Sequence, residues 1–439
     1  MNRLRQNVLS LFTLQGVNYL LPLVTIPYLV RVLGPEHFGR IAFAQAFIQY
    51  FFVVADYGFN LSATRAVAIV RDDPSRLSRL ISAVTVVKIG LTVGGLALVY
   101  ASVMLIPAFE RDVMLYLAAY LAVLGNVLFP IWLFQGLERM REMTILAVAA
   151  RLLAVFLIFG FVHGPDDYRL AAGLQAGAPI LAGALSVLVL RQILHVRLGW
   201  PGLASVRAVL GDGVHAFMSS AAISLYTTTT TFVLGLFAPP AAVGYFAAAQ
   251  KVVTAVTGLI SPVSQAVYPH LSALVSTSRD ATIALIGRLL RFQALATLGL
   301  SILLYVFSDQ ITAIVLGAAF EPSSVLLRVM AAVPFLIGLS NIFGIQVMFV
   351  FSLDRLVTRV VAVCGVLNIA LLALLVPQLR EVGAAIAIVA IEALVTALMA
   401  VTLARTGHLR PILAAARLRI DARDVATWWD RLQAARREW

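Results

Sequence analysis

The sequence predicts an all-α, polytopic membrane protein of twelve transmembrane helices in two six-helix lobes. Three observations carry this prediction. Of 439 residues, 61% are hydrophobic and only 12% charged, with a mean hydropathy of +0.95, whereas an ordinary globular chain carries about 25% charged residues. The apolar residues come in blocks of about 20, the length that crosses ~30 Å of hydrocarbon as a helix, not in the short alternating segments of a β-barrel. Lastly, a pattern at the end of the first block returns 205 residues later: Pro35, Gly39, Ala42, Ala44 and Gln45 correspond to Pro240, Gly244, Ala247, Ala249 and Gln250. Pro, Gly and Gln at fixed offsets, at the same point of each half, read as a chain of two related halves. In transporters that arrangement puts the working site between the halves.

Taken in order, the spans are expected at about 8–30, 41–64, 80–105, 113–134, 145–162, 170–194, 214–237, 244–272, 289–307, 324–350, 356–376 and 382–404. The first two meet across a tight turn at Gly34 and Pro35. Charge and proline clusters cannot lie cheaply in lipid. They mark the next boundaries: Arg71 to Arg79, Glu138 to Glu142, and His163 to Arg169. Pro22 and Pro27 should break span one, Pro262 and Pro269 span eight, and Pro334 span ten, because proline removes a backbone hydrogen bond. The resulting division is 1–195 for an N-terminal lobe, 196–213 for a cytoplasmic linker, 214–404 for a C-terminal lobe and 405–439 for a basic cytoplasmic tail. Tail residues Leu413, Leu418, Ile420, Val425, Trp428, Trp429 and Leu432 suggest an amphipathic helix on the inner membrane surface.

The net charge is +12, but its placement says more. With the N-terminus inside, 25 of the 31 arginines fall on the cytoplasmic side and 6 on the other. Lys and Arg favour the cytoplasmic side, so both termini are expected there. The opening Met-Asn-Arg-Leu-Arg runs straight into a long span without a small-residue cleavage site, so no removable signal peptide is expected. No connection exceeds about 20 residues, too short for an extramembrane catalytic domain.

Missing motifs narrow the chemistry. The two lysines, Lys88 and Lys251, follow Val87 and Gln250, so neither is a nucleotide-loop lysine after glycine. The six histidines are scattered and Cys364 stands alone, which gives no metal or redox spacing and no internal disulfide. The expectation is a transporter that is no enzyme, with no cofactor, no metal and no nucleic acid. Asp72-Asp73 and Asp166-Asp167 read as solvated turns next to proline.

Ionisable groups inside spans usually face a cavity or a partner. Here they are Asp56, Lys88, Arg151, Lys251, Arg291 and Glu392. Lys88 and Lys251 lie roughly 13 and 10 Å along their helices at 1.5 Å per residue. They are expected to serve a substrate cavity together with Arg31 and Arg291, although long lysine stems also snorkel. Arg151 and Arg291 lie near the cytoplasmic edge, where an anchoring role competes. Asp56 is the candidate for ion coupling, or alternatively a fixed counter-ion to Arg65 or Lys88, and its replacement by Asn is expected to leave folding intact. The run Thr227 to Thr231 puts hydroxyls on every helix face. Thr228 is its cavity candidate, against hydroxyls bonded back onto the helix itself. Gly34, Pro35, Gly39, Pro240 and Gly244 are read as structural turn residues.

With these residues in place, the chain resembles a known family. Pro27-Tyr-Leu-Val-Arg31-Val-Leu-Gly34-Pro35-Glu36-His-Phe-Gly39 looks like the opening of the polysaccharide-repeat flippases of the O-antigen (Wzx) type. Asp56-Tyr-Gly-Phe59 follows, then Trp132-Leu-Phe-Gln135-Gly136-Leu-Glu138, the most distinctive match. Gly244-Tyr245 with Gln250-Lys251, Tyr268-Pro269, Asn341 to Gln346 and Glu392 close the series. The resemblance implies the multidrug/oligosaccharidyl-lipid/polysaccharide exporter superfamily, whose two lobes form a MATE-like V around a central cavity lined by helices one, two, seven and eight. It implies a flippase in the bacterial inner membrane that carries an undecaprenyl-diphosphate-linked oligosaccharide across membrane lipid for O-antigen, capsule or exopolysaccharide. A polysaccharide polymerase or chain-length regulator would be its protein partner. The competing expectations are an ion-coupled multidrug or cation antiporter of the same fold, and a flippase for the peptidoglycan precursor.

Overall fold

The computed structural model describes residues 2–109, 112–193 and 199–417, and their regular structure is helical throughout. The expected amphipathic tail falls mostly on 418–439, and part of the linker on 194–198. Both lie outside the described residues.

Helix α1 (Asn2–Asp56) runs through Pro22 and Pro27 without a break. The breaks expected at those prolines do not occur. The single non-helical residue is Gly34, at φ 71° and ψ 173°, a conformation that costs glycine little. Helix α2 (Phe59–Val70) follows a second break, formed by Tyr57 (φ 47°) and Gly58 (φ 70°). Helix α3 (Pro74–Leu105) starts at Asp73, whose Oδ1 accepts from Ser75 Oγ (2.7 Å) and from the Ser75 and Arg76 amides (3.0 and 3.1 Å). These bonds, with the Ser75 hydroxyl first, hold the Asp73 carboxyl below its usual range. They also satisfy amides that the helix cannot.

Helices α4 (Val113–Leu128) and α5 (Ile131–Gly136) form one stretch, interrupted at Phe129 and Pro130. Helices α6 (Met140–Phe161), α7 (Tyr168–Ile193) and α8 (Leu203–Phe237) follow. Helix α9 (Pro240–Gly258) gives way to α10 (Ser261–Thr277) just before Pro262, as that proline leads one to expect. Pro269, by contrast, lies inside α10 without ending it. Next come α11 (Arg279–Val306), the short α12 (Ser308–Ile311) and a π-turn at Thr312–Leu316. Helix α13 (Ser323–Met330) precedes α14 (Val333–Asn341), which has Pro334 in its first turn and continues as a π-helix over Ile342–Phe349. Helix α15 (Asp354–Arg405) breaks only at Arg380 (φ 49°), and α16 (Leu409–Arg417) follows it.

Eight helical stretches among the described residues are long and apolar enough to cross a membrane. Two of them, Leu21–Val70 and Asp354–Arg405, are 50 and 52 residues long and contain the breaks at Gly34 and Arg380. The protein is therefore a multi-pass membrane protein.

The two halves of the chain meet where the repeated pattern meets itself. A Cβ on Gly39 would stand 1.8 Å from the Pro240 carbonyl oxygen, and one on Gly244 would stand 2.0 Å from the Pro35 carbonyl oxygen. Each glycine admits the other repeat's proline. Small residues let helix backbones approach this closely in membranes, where van der Waals packing replaces the hydrophobic drive. Beyond the crossing, α8 lies antiparallel to residues 35–56 of α1. Gly235 sits against the Phe43 ring, and Phe232 stacks with Phe43 and Phe47 (centroids 5.7 Å each) and meets Tyr50 edge-on at 5.4 Å. Positions 43, 47 and 50 share one helix face.

Replacing Gly244 by Ala should therefore lower stability by about 1–3 kcal/mol, the usual cost of overpacking a tight contact. The same change at Gly94, which has no neighbour within 4 Å, should cost nothing measurable. Thermal unfolding of the two purified variants in detergent checks both.

Candidate functional site

The seam between the halves positions the groups that sequence reasoning singled out. Its polar contacts lie directly beside the aromatic stack. Tyr50 Oη bonds Thr229 Oγ1 at 3.0 Å, and Thr231 Oγ1 donates to Gln250 Oε1 at 3.2 Å. Thr228 donates back to the Ser224 carbonyl at 2.7 Å. The threonine run thus divides by face. Thr228 bonds its own helix, Thr229 reaches the first half, and Thr231 reaches the residue before Lys251.

Lys251 is exposed, and among the described residues it makes no hydrogen bond and no ion pair. Helix α9 holds it 11 residues past Pro240. Arg291, on α11, is half-buried. Arg31 donates to the Ile314 carbonyl, and its aliphatic stem packs over Gly317. It ties the end of the first span to the π-turn of the other half.

Lys88 has a different environment. It is 2% exposed, and its Nζ donates to Asn126 Oδ1 (2.7 Å) and the Asn126 carbonyl (3.2 Å). Asp56 Oδ1 stands 3.7 Å away and also accepts from Asn60 Nδ2 at 2.9 Å. Asp56 thus faces Lys88, one of the two counter-ions expected for it. Lys88 also lines a mostly apolar 730 Å³ cavity between α3, α4 and α7, together with Thr85 and Thr92.

The Trp132 to Glu138 motif is a clamp. Gly136 lies against Val67 and the Thr64 carbonyl, where a Cβ would come within 2.5 and 2.9 Å. Thr64 Oγ1 donates to the Trp132 carbonyl at 3.2 Å, and Arg71 Nη1 bonds Glu138 Oε1 at 2.9 Å. Glu138 adopts φ 59°, which few non-glycine residues do. The motif therefore fastens α2 to α5 and α6. Sequence reasoning missed Tyr50, Asn126, Tyr57 and Phe217. The hydroxyl, amide and rings concerned carry no charge, and only the fold shows that they face one another.

A family model described as "Polysaccharide biosynthesis protein" matches residues 4–275. The chain belongs to this polysaccharide biosynthesis family. A protein of Escherichia coli (strain K12) named as an O-antigen transporter is 36% identical over 401 residues, 90% of this chain and 95% of that one. Among solved structures, the lipid II flippase MurJ in an inward closed conformation matches with a TM-score of 0.73 at 12% identity, covering 93% of this chain and 90% of its own. An inward-facing multidrug resistance MATE family transporter of the MOP superfamily matches with a TM-score of 0.62 at 15% identity, covering 94% and 100%. These structural matches establish the fold, and they agree with the all-α, exporter-type architecture expected from the sequence. The polysaccharide family member described here carries its two lysines in opposite states: Lys88 is paired inside a half, and Lys251, beside the seam, has no partner among the described residues.

The two states predict different responses. Lys88→Met should destabilise by about 3–5 kcal/mol, because it leaves Asp56 without its buried partner. For the same reason Asp56→Asn should not leave folding untouched: it strands Lys88. Lys251→Gln should leave the unfolding temperature unchanged. Thermal denaturation of the three variants separates them.

Proposed function

We propose that this protein is a flippase that carries an undecaprenyl-diphosphate-linked oligosaccharide repeat unit across the bacterial inner membrane by alternating access, for surface polysaccharide assembly. The observation that carries the reading is kinship over 90% of the chain, at 36% identity, with a protein named as an O-antigen transporter. A polar head of several sugars cannot cross ~30 Å of hydrocarbon unaided. A seam between two halves can shield that head while the polyprenyl tail stays in lipid.

Lys251 is the proposed contact for the diphosphate, with Arg291 and Thr228 nearer the path's wall and Arg31 at its outer end. An unpaired cation offers an anion what a paired one does not. This observation also ranks the drug antiporter lower. A cation exporter calls for an acidic site, and the carboxylate embedded in the first half, Asp56, already faces Lys88 at 3.7 Å. In this reading Asp56 acts in ion coupling.

Twelve crossings are part of the same proposal. Dividing the two long stretches at Gly34 and Arg380 turns eight into ten, and Leu203–Phe237 and Pro240–Thr277 supply two more. The arginine bias then puts both termini in the cytoplasm. The lobes correspond to 1–195 and 214–404, joined by 196–213. The chain works as a transporter that performs no covalent chemistry. A polymerase or chain-length regulator receives its cargo.

Cells lacking the protein should accumulate one complete undecaprenyl-diphosphate oligosaccharide and lose surface polymer, read by mass spectrometry of extracted lipids. Complementation with Lys251→Gln should restore the protein level while the intermediate stays raised at least several-fold. An unchanged lipid pool with new sensitivity to cationic drugs would instead favour the antiporter.

A further inference from the structure

The helix break at Tyr57 and Gly58 joins a buried ion pair to the second contact between the halves. Asp56, the last residue of α1, is 13% exposed at its side chain and faces Lys88. The next two residues turn left-handed and fit against α8. A Cβ on Gly58 would come within 2.7 Å of Ala216 and Phe217, and one on Gly213 would stand 2.9 Å from the Tyr57 ring. The rings of Tyr57 and Phe217 stack at 4.9 Å and 10°. From Pro35 to Asp56 the helix spans roughly 30 Å, about one hydrocarbon thickness. The halves are thus clasped at both ends of the bundle, each time through glycine. The clasp at Pro35 and Gly39 has a solvent-accessible pair beside it, Arg40 and Glu36 at 2.9 Å, whereas the pair beside the clasp at Tyr57 and Gly58 is buried.

We propose that the Asp56–Lys88 pair is a proton-operated latch that holds the Tyr57–Gly58 break against α8. A proton that binds the Asp56 carboxylate takes the pair from neutral to a net charge of plus one, while Lys88 keeps its own proton. Lys88 is then left buried with only the oxygens of Asn126 as acceptors. An uncompensated buried cation is strongly unfavourable. The break must move to rehydrate it, and the contact with Gly213 and Phe217 parts. The proton thereby acts on the end of the bundle opposite the Pro35–Pro240 crossing. The elements packed at this corner bring Lys88 from α3, Asn126 from α4, and Asn60 and Arg65 from α2. Helix α8 brings Asp212 and His215, which flank Gly213. This latch rests on the alternating-access part of the flippase reading and is independent of the cargo.

The test places nitroxide labels on Leu61 and Leu259, which are 67% and 62% exposed, in a chain with Cys364→Ala. Leu61 lies on α2 and Leu259 at the junction of α9 and α10, at the same end of the bundle. Double electron–electron resonance on the full-length protein in nanodiscs, without substrate, reads the distance between them. Lowering the pH from about 8 to about 5, across the range where partly buried carboxylates titrate, should shift the population to longer distances. Asp56→Asn should show the long distance at every pH, and Asp56→Asn with Lys88→Met should show the short one at every pH. His215→Asn should keep the wild-type response. A wild-type distance that ignores pH overturns the latch. So does a double variant that still opens in acid, or a response that vanishes with His215. If Asp56→Asn does not fold, the wild-type and double-variant series decide. The lipid-intermediate assay stands apart: a protein that opens in acid while the lipid pool stays normal keeps the latch and loses the flippase.

Discussion

The carbonyl oxygens of Pro35 and Pro240 occupy the space where a side chain on Gly244 and Gly39 would begin. Much of the molecule depends on that exclusion. It brings two helix backbones into contact, one from each half, and makes the contact reciprocal. It fixes α9 on α1 and thereby sets the register in which α8 runs back along residues 35–56. The Phe232 stack, the Tyr50–Thr229 bond and the Tyr57–Phe217 stack are successive consequences of one register. In lipid, where apolar side chains gain little by leaving the solvent, such shape fit is what remains to hold halves together.

The two lysines show how position decides the meaning of one side chain. Both lie within apolar stretches, and composition alone cannot separate them. Lys88 meets Asp56 and Asn126, which are 32 positions before it and 38 after it, and becomes part of the interior. Lys251 meets no partner among the described residues and stays available. A buried pair stabilises less than its proximity suggests, because both ions were better hydrated in water. What it confers is sensitivity, since removing either charge leaves the other stranded.

The sequence made the class, the internal repeat and the single-residue turn at Gly34 legible, because composition and fixed offsets survive without coordinates. Pro22 and Pro27 advertise kinks in the first span, yet the helix continues there, while the second expected span, 41–64, is interrupted at Tyr57 and Gly58 with one glycine and no proline. The sequence also left the Trp132 to Glu138 motif without a role. Gly136 against Val67, and Arg71 on Glu138, are tertiary contacts between segments some 70 residues apart. The site was legible as a set of charged residues and, for Asp56, as a choice of two counter-ions, Arg65 or Lys88; the helix faces that meet bring it to Lys88.

The breaks at Gly34 and Arg380 have a consequence for how such proteins diversify. Surface loops are where most proteins store variation, because a loop can lengthen or change without disturbing the scaffold. At these two positions a single non-helical residue joins one helix to the next, and no loop stands there to be exchanged. A transporter built this way cannot tune its choice of sugar by exchanging loops there. Its repertoire must be written into the walls of the helices themselves, one side chain at a time.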